Sequence, residues 1–367
     1  MTRSRLAFVL ALVALAAAAS PTRAGLYSPD EPCPFEIRPD GSAKELSFGT
    51  TDPGEFRIRY TVLLNALDAN PSRTDNPDRQ KHLDRIAKRK AMPALSPAEL
   101  AGLAADELRV RQADNALDRL FRSRERSDFR VLANLAHVHA ARGEWSEAAN
   151  AHRNALLDAD FPDDLAGTNP AQRAWLKKLE RTHYAKWLAV HQQRAADRVK
   201  PADEDIFPLF DAKFVGESGR YEPGKLAAAE KAKLPPDAVA VVQQLMLWSP
   251  DDAALQWLLA ELYAAGGRLR EAELIFNQVV ESRQYSNRPL FMEHRAAVRD
   301  AVAKLPKETP GPDLVLPPTP PDPPKPDGSA FLPSRERVAA VAAAFAVFVG
   351  VLIVLKLRTT AARKRGA

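Results

Sequence analysis

The sequence predicts an all-α, helical-repeat fold with a small irregular, β-containing N-terminal region, a proline-rich stalk and one C-terminal transmembrane helix. Three observations carry this reading. The vocabulary is alanine-rich and only 7% aromatic, and no Val/Ile/Thr-rich stretches alternate at regular turn spacing. One phrase occurs twice, as ARGEWSEAANAHRNALLDADFP over 141–162 and AGGRLREAELIFNQVVESR over 265–283. Finally, 30 prolines stand against 16 glycines, and they crowd into one stretch near the C-terminal end.

Residues 1–24 read as a signal peptide: a basic MTRSR, an apolar run from Leu6 to Ala19, and a cleavage point after Ala24. The run is shorter than the roughly 20 residues that cross a bilayer comfortably, which favours cleavage over anchoring. Cys33 does not follow the run directly, so its position does not support a lipoprotein; a free thiol or an intermolecular bridge stays open. Residues 25–95 form an irregular region that leads into helix. Within it EFRIRYTV, 55–62, alternates like a short strand. In SPAEL, Ser96 serves as an N-cap, Pro97 takes the first helical position and Glu99 completes a capping box, so the repeat body is expected over 96–303.

The repeated phrase gives the body its architecture. Leu132, Leu135, Ala136 and His139 lie on one helical face, Gly143 ends that helix, and Trp145, Ala148, His152 and Ala155 form the facing stripe of the next. Leu259, Ala260, Tyr263, Gly267, Leu269, Ala272 and Phe276 take the same places in the second copy. Two amphipathic helices joined by a glycine turn pack as an antiparallel pair, and the alanines let the backbones approach closely. Fainter copies place Ala116 after Leu100, Leu103 and Ala104, and Ala238 before Val242, Leu245 and Pro250.

This pattern resembles the tetratricopeptide repeat (TPR), over about 97–162 and 236–285. The chain departs from the family at His139 and His152, which replace aromatics, at Arg111, which replaces the turn glycine, and at Pro235-Pro236, which interrupts a helix junction. The resemblance implies helix pairs whose first helices line a concave face. The matching positions of the best copy are Arg130, Ala133, Asn134 and His137. In some relatives basic and amide groups there hold a peptide's terminal carboxylate, and Arg130 and Asn134 match that chemistry.

Arg130, Asn134 and His137, at spacings of four and three, share one helix face and are the candidate peptide-binding groove. An arginine beside an amide can pair with a carboxylate, and His137 adds attraction when protonated, so binding is expected to weaken with salt and with rising pH. Between the repeat blocks, AQRAWLKKLERTHYAKWLAVHQQRA, 171–195, reads as a longer helix with Trp175, Leu179 and Trp187 forming a core stripe. DAKFVGESGRYEPGKL, 211–226, reads as a small inserted hairpin.

Residues 304–336 form the proline-rich linker, an extended spacer that reaches roughly 90 Å at most; PPTPPDPP also has the chemistry of a ligand for an aromatic-lined groove. Residues 337–356 contain an uncharged run over 338–355, about 27 Å long as a helix. Residues 357–367 form a basic tail without an acidic residue, which places the C-terminus in the cytoplasm and the body outside it.

No catalytic motif stands out. His137 and His139 point to different sides of a helix, Glu180 and His183 lack the second Glu-x-x-His of a metal bundle, and ADEDIF, 202–207, lacks calcium-loop spacing. No Walker loop, dinucleotide fingerprint, G-x-S-x-G or paired-cysteine motif occurs. No cofactor, metal or small-molecule substrate is therefore expected, and the net charge of +5 is too dispersed to suggest nucleic acid. The expectation is an exported, single-pass scaffold that binds protein or peptide partners in a bacterial envelope. An envelope enzyme acting from residues 25–95 or 163–235, or a purely structural spacer of a membrane complex, remains the alternative.

Overall fold

A computed structural model describes residues 26–306 except 51–52, 70–75, 124–126, 166, 199–204 and 282–287. The signal peptide, the linker from residue 307 onward, the transmembrane segment and the tail expected from the sequence lie outside the described residues. Among the described residues no helix is long and apolar enough to cross a membrane.

The described chain is helical. In order come α1 (Glu55–Leu67), α2 (Pro77–Lys90), α3 (Pro97–Arg109), α4 (Ala113–Arg122), α5 (Phe129–Ala141) and α6 (Trp145–Asp158). After them follow α7 (Pro170–Leu179), a π-helical turn (Glu180–Tyr184), α8 (Ala185–Asp197) and the four-residue α9 (Ala228–Lys231). The last four are α10 (Ala238–Trp248), α11 (Ala253–Ala265), α12 (Leu269–Glu281) and α13 (Pro289–Val302).

The two strong repeat copies are the pairs α5/α6 and α11/α12. Gly143 and Gly267 sit at their turns with φ of +74° and +78°, a left-handed backbone that an L side chain resists. Ala148 and Ala272 are fully buried at the helix contacts, where a larger residue would collide with the facing helix. The faint copy α3/α4 turns at Arg111, which adopts the same left-handed region with φ of +59°. In the other faint copy Pro235-Pro236 leaves only the short α9 as a first helix ahead of α10.

Three local expectations are corrected. EFRIRYTV is not a strand but the start of α1. Phe56, Tyr60 and Leu63 are buried at spacings of four and three, and Ile58, inward in a strand reading, is exposed. Residues 211–226 form turns rather than a hairpin, closed by Gly216 N–H to Arg220 O at 2.8 Å and Ala227 N–H to Val215 O at 2.9 Å. Among the described residues the β content is one isolated bridge, Ile37 with Ala43. Ser96 does cap α3, accepting from Glu99 N–H, but the Glu99 carboxylate turns to Arg89 Nε at 2.8 Å.

The helix over 171–195 forms as α7, the π turn and α8, with Trp175, Leu179 and Trp187 buried. The π turn begins at Glu180, which lies four residues on from buried Leu176 and is itself fully buried.

Residues 26–48 form an extended strap that passes α3, α5, α7, α10 and α11. Tyr27 meets Phe129 edge-on at 5.1 Å, Phe35 meets Trp175 at 5.1 Å, and Phe48 meets Tyr263 at 5.5 Å. All three strap aromatics are buried, each contributing about 1.5–3 kcal/mol of apolar transfer. The strap thus joins helices from both repeat blocks in one core.

Candidate functional site

The strap is held by its main chain as well as its side chains. Asn134 Oδ1 accepts from Tyr27 N–H at 3.1 Å, and Asn134 Nδ2 donates to Tyr27 O at 3.1 Å and to Ala101 O at 2.9 Å. Gln243 repeats the device: Oε1 accepts from Leu46 N–H and Nε2 donates to Leu46 O, both at 2.9 Å. A primary amide matches a peptide unit donor to acceptor, so each grip satisfies two buried main-chain groups without reading the side chain between them. Asp237 also accepts from Ala43 N–H at 3.3 Å and from the Trp175 indole at 2.9 Å.

Ionic contacts fix the strap's N-terminal part. Glu31 Oε2 accepts from Arg109 at 3.0 Å, and both side chains are buried; Arg109 also donates to Leu247 O at 2.8 Å. Burial pushes the Glu31 carboxyl up, but the Arg109 guanidinium outweighs it and holds the group below the usual carboxylate range. Glu31, His82 and Asp106 bring ligand atoms within 4.8 Å of one another. Their oxygens, however, are engaged by guanidinium groups: Asp106 by Arg85 at 2.6 Å and Arg89 at 2.5 Å, Glu31 by Arg109. Three arginines around two carboxylates make an ion network, an unsuitable setting for another cation.

The three residues expected to form the groove have separate fates. Arg130 is partly buried and pairs with Asp128 at 2.8 Å and Asp164 at 3.2 Å. Asn134 is buried in the grip on Tyr27. His137 is also buried, beside Tyr184 and Trp248, and neither ring nitrogen has a hydrogen-bond partner. Burial, reinforced by His152 and Arg109, lowers its pKa well below the ordinary imidazole value. The attraction expected from a protonated His137 is therefore absent near neutral pH.

His137 instead lines a cavity of about 750 Å³ bounded by the ends of α3, α5 and α10, the starts of α6 and α11, and α8. Trp145 stacks on His191 with centroids 4.3 Å apart and planes 10° apart, and Trp187 meets His191 edge-on at 4.8 Å. Asp252, the N-cap of α11, accepts from Trp187 Nε1 at 2.8 Å and His191 Nε2 at 3.1 Å. Burial raises the Asp252 pKa, but these bonds and the His191 charge outweigh it and the net shift is downward. The wall is thereby fixed by a helix cap, with its aromatic faces turned to neighbouring rings.

Two functional side chains carry no separate signal in the sequence: His191 of the cavity wall lies within a long helical stretch, and Gln243, which grips the strap at Leu46, stands outside any motif. Arg111 was visible as a departure from the repeat's turn glycine, and that departure is what brings a cation to the cavity wall.

Comparison with known proteins agrees with the helix-pair geometry. Residues 229–287, from the second residue of α9 through the end of α12, match the family model described as Tetratricopeptide repeat. No curated protein and no solved structure matches the chain.

Proposed function

We propose that this chain, which carries tetratricopeptide repeats, is a protein- or peptide-binding scaffold held at a membrane, and that it works by recognition rather than turnover. The observation that carries the reading is the pair of amide grips: Asn134 and Gln243 each hold an extended polypeptide by both main-chain groups of one residue. The body thus has the chemistry for an extended chain, here its own strap. The buried His152–Glu180 pair, 2.8 Å apart, does not line the junction cavity, whose aromatic and arginine-bearing wall suits a ligand held by packing and charge.

Membrane tethering and export rest on sequence: the apolar run over 338–355, the basic tail after it and the N-terminal leader. In this reading the body lies in the envelope outside the cytoplasm and meets protein partners there. Crosslinking in intact cells followed by pull-down of the tagged full chain tests the function. A specific, repeatable envelope protein is expected; capture of nothing beyond an untagged control would reject the scaffold reading. Reporter fusions after residue 330 and after 367 test the topology, and a residue-330 fusion active only in the cytoplasm would reject it.

A further inference from the structure

We propose that the cavity where the repeat blocks meet binds a neutral sugar of the glucose type, with one pyranose ring laid against Trp145 and two neighbouring hydroxyls held by the Arg111–Asp251 pair. The site is separate from the amide grips, because neither Asn134 nor Gln243 lines it. It therefore goes beyond the scaffold reading, and the two are tested apart.

Two departures from the repeat converge on this cavity. Gly143 and Gly267 turn the strong copies with φ of +74° and +78°, and Arg111 takes the same left-handed region with φ of +59°. A long side chain there is strained where glycine is not, which points to a task for the side chain. At the start of the second helix one strong copy has Leu269, which is buried, and the other has Trp145, which is only partly covered. Packing of the helix pair is met by leucine at that place, so the indole is surplus to it. Arg111 and Trp145 both line the cavity.

The polar groups of the wall select the guest. Arg109 is paired with Glu31 at 3.0 Å, Asp252 holds the Trp187 and His191 rings, Arg194 donates to Asp205 O at 3.1 Å, and Arg288 has an interaction of its own. Arg111 and Asp251 are paired with each other at 3.5 Å, and both side chains are about half exposed, at 55% and 51%. This pair needs no further ion, yet it presents a donor and an acceptor side by side. A vicinal diol matches it: one hydroxyl accepts from the guanidinium, its neighbour donates to the carboxylate, and the two charges stay compensated.

His137 calls for the same chemistry. Its ring is almost wholly buried at the cavity wall, and neither nitrogen has a partner. Burial keeps it uncharged near neutral pH, so it carries one donor and one acceptor. A hydroxyl can answer either nitrogen, whereas a carboxylate can answer only the one that bears the proton.

The aromatic wall supplies the apolar contact. Trp145 is held by its stack on His191, with centroids 4.3 Å apart, and by Trp187 edge-on at 5.6 Å. An all-equatorial pyranose has a flat face of C–H groups that packs on an indole as an apolar surface, while its hydroxyls project from the ring edge toward polar groups. About 750 Å³ has room for two such rings.

The test uses the purified full chain, in a detergent without a sugar headgroup, and cellobiose as the probe, followed by saturation-transfer NMR. Cellobiose is expected to bind saturably with a Kd of about 1 mM or below, and the C–H protons of one ring face are expected to receive the strongest saturation. Sorbitol, which has the hydroxyls without the flat face, is expected not to bind, and glucuronate is expected to bind no more tightly than glucose. Arg111→Gly and Trp145→Leu restore the repeat's own residues, so both are expected to fold, with melting temperature as the check, and each to weaken binding about fivefold or more. Absence of saturable binding up to about 20 mM, equal binding of sorbitol, tighter binding of glucuronate than of glucose, or wild-type affinity in both variants would overturn the proposal.

Discussion

Asn134 and Tyr27, 107 positions apart, are joined through both main-chain groups of the tyrosine. Replacing Asn134 with leucine keeps the size but leaves Tyr27 N–H and Tyr27 O buried without their partners, and it removes the additional donor to Ala101 O, which lies within α3. The expected loss is on the order of 1–3 kcal/mol per orphaned group, partly relieved by relaxation. Gln243→Leu should act alike at Leu46. Denaturant midpoints of the two variants check this; unchanged midpoints in both would show that the strap is not held as described.

His137 gives a pH prediction. Its folded pKa lies well below the ordinary value, chiefly through burial, so the unfolded chain binds a proton that the folded chain refuses. Stability from this group is fully present above the unfolded pKa of about 6.5 and declines as pH falls below it. His183, also lowered by burial, adds in the same direction. His137→Phe removes two unpartnered nitrogens from a pocket of rings and should flatten part of that slope. Melting temperatures at pH 7.5 and 5.5 read it, and a variant with the full wild-type slope would show that His137 does not titrate in this window.

Ala148 and Ala272 test the repeat register. Each is fully buried in the second helix of its pair. Substitution by leucine inserts methylenes into a packed helix contact and should cost about 1–3 kcal/mol. Calorimetry of the two variants decides the point: two unchanged melting temperatures would mean that the helix pairs meet elsewhere.

What could be read in advance divides along a physical line. Gly143, Gly267, Ala148, Ala272 and the Trp175–Leu179–Trp187 stripe were legible, because local backbone and helical spacing constrain them within a few residues. EFRIRYTV misled because eight residues can satisfy a period of two and a period of 3.6 together; burial of Phe56, Tyr60 and Leu63 decided between them. Asn134 was singled out for its amide chemistry, yet its partner lies in a strap without periodicity. A main-chain grip imposes no residue type on the chain it holds, so neither Tyr27 nor Leu46 could announce it.

Arg109 and Glu31 offer a separation of pairing from burial. Both side chains are almost fully enclosed and 3.0 Å apart, and Arg109 also bonds the carbonyls of Leu247 and Trp248 at the end of α10. Removing one charge strands the other in the core. Arg109→Met should therefore cost about 3–5 kcal/mol, since Glu31 would be left uncompensated. Glu31→Gln keeps a neutral acceptor, but strands the guanidinium apart from its two carbonyls. The double variant, Arg109→Met with Glu31→Gln, has no stranded charge and should be less destabilised than the sum of the singles by about 0.5–3 kcal/mol. The paired carboxylate also sets a pH dependence, because a folded pKa below the unfolded one gives stability above about pH 4.3 that disappears as pH falls through the folded value. Acid titration of stability in wild type and Glu31→Gln reads that part. Additive single effects together with an unchanged acid limb would mean that the two side chains do not act as a pair.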